Sequence, residues 1–313
     1  MNFRTIEDMN GCICNNMRKI PRDIDLVVGI PRSGILPASL LGLYLNLPIA
    51  DLHSFVDGKI YQTGSTRKNE NWIKSLAEVK HVLIVDDSVS TGNAVNDAKS
   101  LVMKLNLDCK VTYCAIYVVP TAIFAVDIYF EVCNHPRIFE WNYLHSWILE
   151  YACVDIDGVL CEDPNLKELI SKDKYKEFLA NAKPKFIPTH KIAYLVTGRS
   201  EDYRELTEKW LDNFNIKYEN LVMLPKEKAS SVMGNAEYGE YKASVYKKTN
   251  CFLFIESNHE QAVIICEKAG KQVFCVESRL LVSPDNLAQR AAIVKRDGFI
   301  TLKRIIKKIL KKL

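Results

Sequence analysis

The chain has 313 residues, 48% hydrophobic and 26% charged, with a formal net charge of +4. Such a length accommodates two globular domains, and the composition places the chain in the folded, soluble class. Six basic groups (Lys303, Arg304, Lys307, Lys308, Lys311 and Lys312) crowd the last eleven residues with no acid among them, so the rest of the chain is slightly acidic and lacks the broad basic surface of a nucleic-acid binder.

Ten scattered cysteines, several inside apolar runs and none in a C-x-x-C pair, suit reduced, mostly buried thiols better than a disulfide framework or a zinc site. The N-terminal MNFRTIEDMN has no apolar core of a signal peptide, and no apolar run approaches the roughly 20 residues of a spanning helix. The expected location is cytoplasmic.

Residues 1–20 fit an amphipathic helix with Ile6, Met9, Ile13 and Met17 on one side, a packing element. From Asp25 the run DLVVGI reads as a buried strand. It ends in Gly29, Pro31, Arg32, Ser33 and Gly34 and leads into an apolar helix from Ile35 to Leu45. Small residues and one guanidinium then sit at the carboxyl end of a strand, the edge on which open α/β sheets bind ligands. His53 to Lys74 shows no apolar period, and a polar stretch of that length inside a domain is either disordered or a working lid.

Val82 to Val85 form a strand buried on both faces that runs into Asp86 and Asp87. Ser88, Val89, Ser90, Thr91 and Gly92 follow, ahead of a helix opening near Asn93. Successive backbone N–H groups in that turn, with the positive end of the helix behind them, suit a phosphate monoester. The two carboxylates beside it suit ribose hydroxyls, or Mg²⁺ through oxygen. This order of apolar strand, acidic pair and Thr-Gly phosphate loop closely resembles the motif by which type I phosphoribosyltransferases bind 5-phosphoribosyl 1-diphosphate (PRPP).

The resemblance implies a PRPP site made by Asp86 to Gly92, with Arg32, Ser33 and Gly34 facing the pyrophosphate. It implies a flexible loop bringing one of Lys59, Arg67 and Lys68 to the leaving group. It also implies an acceptor hood near Phe139, Glu140, Trp141, Asn142 and His145. The reaction would displace pyrophosphate at the anomeric carbon through an oxocarbenium-like transition state, with Mg²⁺ and basic groups stabilising the departing charge.

After a strand at Lys110 to Val119 and an aromatic-rich segment, Tyr151 opens a second pattern, YACVDIDGVLCED. Asp155 closes a strand, Asp157 follows two residues on, and Gly158 is next. Such a pair lets one carboxylate attack phosphorus while the other moves the proton of the leaving oxygen. A strand at 192–197 ends in Thr197, before Gly198 and Arg199. Lys242 adds a cation, with Lys226 and Lys228 as alternatives, and a strand at Cys251 to Ile255 ends in Glu256 with Glu260 beyond.

D-x-D, Thr, Lys and a strand-end acid, in that order, resemble the haloacid dehalogenase superfamily of phosphohydrolases. The resemblance implies Asp155 as nucleophile and Asp157 as general acid and base, with Thr197, Gly198 and Lys242 holding the phosphoryl group. It further implies Mg²⁺ bound by Asp155, the Asp157 carbonyl and Glu256. Glu in place of the usual Asp departs from that pattern. The short span from Cys161 to Lys191 leaves room for a small cap only, hence an open site.

The expected architecture is α/β in two domains, each a mainly parallel sheet flanked by helices. They are a phosphoribosyltransferase-like domain at 1–148 and a haloacid dehalogenase-like domain at 149–300, with a basic amphipathic helix at 301–313 suited to an anionic membrane interface or to docking on its own domain. The expected function is transfer of 5-phosphoribosyl from PRPP to an acceptor and removal of the 5-phosphate. The open phosphatase site and the basic tail lean toward a lipid-linked or polymeric glycan as acceptor. Nucleobase salvage with a nucleotide phosphatase, and a non-catalytic PRPP sensor, are the other two readings.

Overall fold

The computed structural model describes residues 1–61, 73, 75–229 and 233–287. It contains two compact units, Met1–Trp141 and a second beginning at Asn142. Arg67, Lys68 and the C-terminal helix expected at 301–313 lie outside the described residues.

The first unit runs β1 (Asn2–Arg4), α1 (Ile6–Asn16), β2 (Leu26–Gly29), α2 (Ile35–Leu45), β3 (Ile49–Asp51), α3 (Leu52–Val56), β4 (His81–Val89), α4 (Asn93–Met103), β5 (Lys110–Val118), β6 (Ile128–Val132) and β7 (Arg137–Phe139). Its main sheet has the order β3-β2-β4-β5-β6 and is parallel throughout, while β1 pairs with β7 apart from it. Parallel strands covered on both faces need apolar residues at every position, which is why β2 and β4 read as unbroken runs.

Successive side chains alternate between two cores. Leu26, Val28, Val82, Ile84 and Ala115 pack on one face, and Val27, Leu83, Val85, Cys114 and Ile116 on the other. Each Val, Leu or Ile among them contributes about 1.5–3 kcal/mol on burial.

Three sequence expectations for this unit need correction. The first helix begins at Ile6 because residues 2–4 are a strand. Thr5 and Asp8 close the helix start by a reciprocal capping box, with bonds of 2.9 and 2.8 Å, and Met9 and Ile13 are buried. The polar stretch after Asp51 opens with a helical turn, α3, that buries Leu52 and Phe55. Finally, β4 continues through Ser88 and Val89, which pair with Tyr117 and Val118, so these two belong to the ladder and the turn proper is Ser90 to Gly92.

The second unit runs β8 (Ala152–Val154), α5 (Lys172–Asn181), β9 (Ile192–Ser200), α6 (Arg204–Asn213), β10 (Tyr218–Leu224), α7 (Lys226–Ala229), α8 (Asn235–Lys248), β11 (Leu253–Glu256), α9 (His259–Ala269), β12 (Gln272–Cys275) and β13 (Leu280–Val282). The sheet order is β10-β9-β8-β11-β12-β13, parallel except for β13, which returns antiparallel to β12. The α/β architecture with helix-flanked, mainly parallel sheets is therefore found in both units, the second sheet being mixed at one edge.

Both sheets reverse direction once. In the first, the chain leaves β2 for β3 on one side and returns to β4 on the other. In the second, it leaves β8 for β9 and β10 and then crosses to β11. A crevice opens outside the carboxyl ends of strands at such a reversal. Among the described residues no helix is long and apolar enough to cross a membrane.

Candidate functional site

At the first reversal the loop after β2 folds back onto the end of β4. Ile30 N donates to Val85 O at 2.8 Å. A Cβ on Gly34 would stand 2.5 Å from Ile30 O and 2.7 Å from Val85 O, so only glycine allows this approach. The loop thereby carries Ser33 to the acid pair, and Ser33 Oγ donates to Asp87 Oδ1 at 2.7 Å. Trp141 Nε1 donates to Asp87 Oδ2, also at 2.7 Å. Asp86 Oδ1 accepts from Asp87 N at 2.9 Å.

Both aspartates are buried, at 7% and 3% exposure. Burial pushes the Asp86 carboxyl up to about 8, with the Asp87 charge adding to the shift and Arg137 opposing it. The structure thus brings Ser33, Gly34, Asp86, Asp87 and the turn together at one edge. It also engages both oxygens of Asp87 within the protein, where the sequence led us to expect them turned to ribose hydroxyls.

Beyond Val89 the turn Ser90, Thr91, Gly92 leads into α4. Gly92 is in the left-handed region at φ 83°, and no side chain caps the helix there. Asn93 N has only a long 3.4 Å bond, to Thr91 Oγ1. Open first-turn amides of this kind favour an anion. Lys59 lies beside Asp57 at 3.5 Å on the surface.

Of the expected hood residues, Phe139 is core, stacked between Tyr117 and Trp141 at 5.4 and 4.8 Å. Glu140 accepts from Ile6 N at 2.9 Å. His145, in the second unit, shares a 3.1 Å hydrogen bond with Thr189. Phe139 thus packs in the core and Trp147 and Tyr151 are exposed, while the Trp141 indole N–H reaches Asp87. That contact and Arg137 were missed in the sequence; their only signal is the alternation of Arg137, Phe139 and Trp141.

At the second reversal Asp155 follows β8, Thr197 lies near the end of β9 and Glu256 ends β11. Lys242 is placed there by α8, one turn of which, Tyr241 to Ala243, is buried. Its Nζ donates to Asp155 Oδ2 at 2.6 Å, Glu256 Oε2 at 2.7 Å and Gln261 Oε1 at 2.9 Å. Burial works against this ammonium, but the two carboxylates outweigh it and hold its pKa above the usual lysine range. Burial raises Asp155 well above the carboxylate range, against the pull of Lys242. Of the alternatives, Lys226 pairs with Asp202 at 2.8 Å and Lys228 lies over the Tyr241 ring.

Asp157 is held by Arg199, whose Nε and Nη2 reach its carboxylate at 3.0 and 2.7 Å. Arg199 is fully buried, and Asp157 overcomes the burial penalty to raise its pKa. The buried clamp was not foreseen, although Arg199 follows Gly198 directly in the sequence. Here too the strand runs further than hydropathy indicated: β9 includes Gly198 and Arg199, and Thr197 Oγ1 accepts from Arg199 N at 3.2 Å.

A cavity of about 500 Å³ opens over these groups, lined among others by Asp155, Asp157, Gly198, Arg199, Lys242 and Tyr238. Among the described residues no cluster of three or more His, Cys, Asp or Glu side chains is arranged to hold a metal ion. In charge, however, the donor set suits one: two buried carboxylates, Asp155 and Glu256, share a single ammonium, and oxygen donors of this kind match Mg²⁺.

Residues 6–146 match the family model described as a phosphoribosyl transferase domain. The transcriptional regulator GfcR of Methanococcoides burtonii is 33% identical over 87 residues, which are 27% of this chain and 41% of that protein. The chain therefore spans less than half the length of this curated relative. Similar solved structures include the xanthine-guanine-hypoxanthine phosphoribosyltransferase of Helicobacter pylori, 17% identical with a TM-score of 0.33, covering 45% of this chain and 90% of that one. The purine phosphoribosyltransferase of Pyrococcus horikoshii is 23% identical, again with a TM-score of 0.33, covering 45% of this chain and 92% of that one. The family match thus spans most of the N-terminal unit and ends at residue 146, just beyond it.

Proposed function

We propose that the chain is a two-step enzyme: the first unit transfers 5-phosphoribosyl from PRPP to an acceptor, and the second removes the 5-phosphate, leaving a ribofuranosylated product. The observation that carries this reading is the pairing of a phosphoribosyltransferase-like domain with a second sheet whose reversal point gathers Asp155, Lys242 and the Asp157–Arg199 pair around one cavity, with buried Glu256 bonded to Lys242 behind it.

In the first step the bond from the anomeric carbon to pyrophosphate breaks, and a bond to the acceptor forms as the acceptor loses a proton. The Ser90 to Gly92 turn cups the 5-phosphate, Arg32, Ser33 and Gly34 face pyrophosphate, and Asp86 and Asp87 orient the ring, Asp87 exchanging Ser33 and Trp141 for ribose hydroxyls. In the second step Asp155 attacks phosphorus, the bond from phosphorus to the ester oxygen breaks, and that oxygen leaves with a proton given by Asp157 as general acid. Water then attacks phosphorus and gives its proton to the Asp157 carboxylate, aimed by Arg199, so that inorganic phosphate leaves and the Asp155 carboxylate is restored. Thr197, Gly198 and Lys242 hold the phosphoryl oxygens. Asp155, the Asp157 carbonyl and Glu256 would hold Mg²⁺, which supplies charge neutralisation at those oxygens.

A second reading, a PRPP-responsive regulator without turnover, draws support from the likeness to GfcR and from the engagement of both Asp87 oxygens within the protein. Incubating the full chain with PRPP, Mg²⁺ and an acceptor panel of nucleobases and lipid-linked glycans separates the readings. We expect pyrophosphate release with one acceptor class, phosphorylated ribosyl product accumulating in Asp155→Asn, and no transfer in Asp87→Ala. PRPP binding by calorimetry with no pyrophosphate released on any acceptor would favour the regulator. Phosphate-free product from Asp155→Asn would remove the phosphatase assignment.

A further inference from the structure

The first unit contains a buried charge that the reaction outlined above does not use. Arg137 opens β7 at only 7% exposure. Among the described residues its guanidinium makes no ion pair; Nη1 donates one long bond, 3.5 Å to Cys133 O, and the group lies 5.4 Å over the Phe139 ring. Burial lowers its pKa against the pull of Cys133, Asp87 and Asp86. The two aspartates are within Coulombic reach, yet neither pairs with it directly. Asp87 accepts from Ser33 and Trp141 instead, and Asp86 Oδ1 from Asp87 N.

The position of Arg137 relates it to the phosphate turn. Cys133 N donates to Val118 O at 2.7 Å, so the segment from Cys133 lies on the carboxyl edge of the sheet. His135 Nε2 and Ser90 Oγ share a hydrogen bond of 2.9 Å, which seats the same segment against the turn. Arg137 and Phe139 are then followed at the same alternation by Trp141, which ends on Asp87. A buried cation without a direct ion pair is costly to hold, and a guanidinium presents a donor fork that matches phosphate oxygens. A ligand oxyanion at this point would relieve that cost.

We propose that Arg137 is an anion-binding residue of the first site, its guanidinium receiving a phosphate oxygen from either the 5-phosphate or the pyrophosphate end of the ligand. The identity of that ligand rests on the phosphoribosyl-transfer reading; the anion subsite rests on the buried, directly unpaired guanidinium beside the Ser90 turn. Arg137→Met keeps most of the volume and removes the charge, and Arg137→Lys keeps the charge without the fork.

Binding of ribose 5-phosphate and of Mg²⁺-pyrophosphate to the full chain, measured by calorimetry alongside the melting temperature, tests the inference. We expect Arg137→Met to melt no lower than the parent and to lose about tenfold or more in affinity for one probe, with Arg137→Lys intermediate. Loss for ribose 5-phosphate assigns the 5-phosphate end; loss for pyrophosphate assigns the other. Unchanged affinity for both, with or without a fall in melting temperature, overturns the inference. If Arg137→Met does not fold, Arg137→Lys decides by the same criterion. Arg137-dependent binding without pyrophosphate release in any acceptor assay would keep the subsite and reject the transferase reading.

Discussion

Adjacent residues on a strand point to opposite faces, yet Asp86 and Asp87 are tied together because Asp86 turns its carboxylate back to Asp87 N. The bond does not offset burial beside a second carboxylate, and the Asp86 pKa is raised to about 8. Linkage gives the sign: the folded state holds a proton that the unfolded state releases near pH 4, so stability is greatest below that pH, falls as pH rises toward about 8, and then levels off. Each unit of separation is worth about 1.4 kcal/mol. Urea denaturation between pH 4 and 9 should show this decline in the unliganded protein, and Asp86→Asn should flatten it; an unchanged slope in the variant would assign the decline to other groups. The acid pair was legible in the sequence. Its protonation was not, because desolvation depends on what packs around it. Arg199 and Asp157 are likewise 42 positions apart and meet only through the sheet.

At the scale of elements, hydropathy marked where β2, β4, β5 and β11 lie but not where they stop. β4 runs through Ser88 and Val89, and β9 through Ser200, because the ladder is built from backbone groups that polar side chains do not interrupt. Glycines at the turns carry a comparable backbone requirement. Gly92 has φ 83° and would place a Cβ 3.1 Å from Ala125 Cβ, whereas Gly158 has φ 75° and would meet Asp163 Oδ2 and Ser257 Cβ at 2.5 Å. Left-handed backbone costs an L-residue roughly 1–2 kcal/mol. Gly92→Ala should therefore lose about that much in chemical denaturation, and Gly158→Ala more, since a neighbour must also move. Equal losses would mean that Asp163 and Ser257 yield freely.

Over the whole molecule, each unit has its own sheet and its own apolar core, and calorimetry of the full chain should resolve two transitions. PRPP with Mg²⁺ at a hundredfold excess over Kd should stabilise one of them by about 2.7 kcal/mol and leave the other in place; an equal rise in both would contradict binding confined to the first unit. The α/β class, the order of the motifs and most candidate side chains follow from local pattern, since apolar runs, turn residues and acids at strand ends are one-dimensional signals. Strand order was decided only in three dimensions. The reversals at β2/β4 and β8/β11 bring together residues as distant as Asp155 and Lys242, leave Arg137 without a counterion among the described residues, and close Asp87 between Ser33 and Trp141. Burial and charge balance are properties of that assembled surrounding, which no local stretch of chain contains.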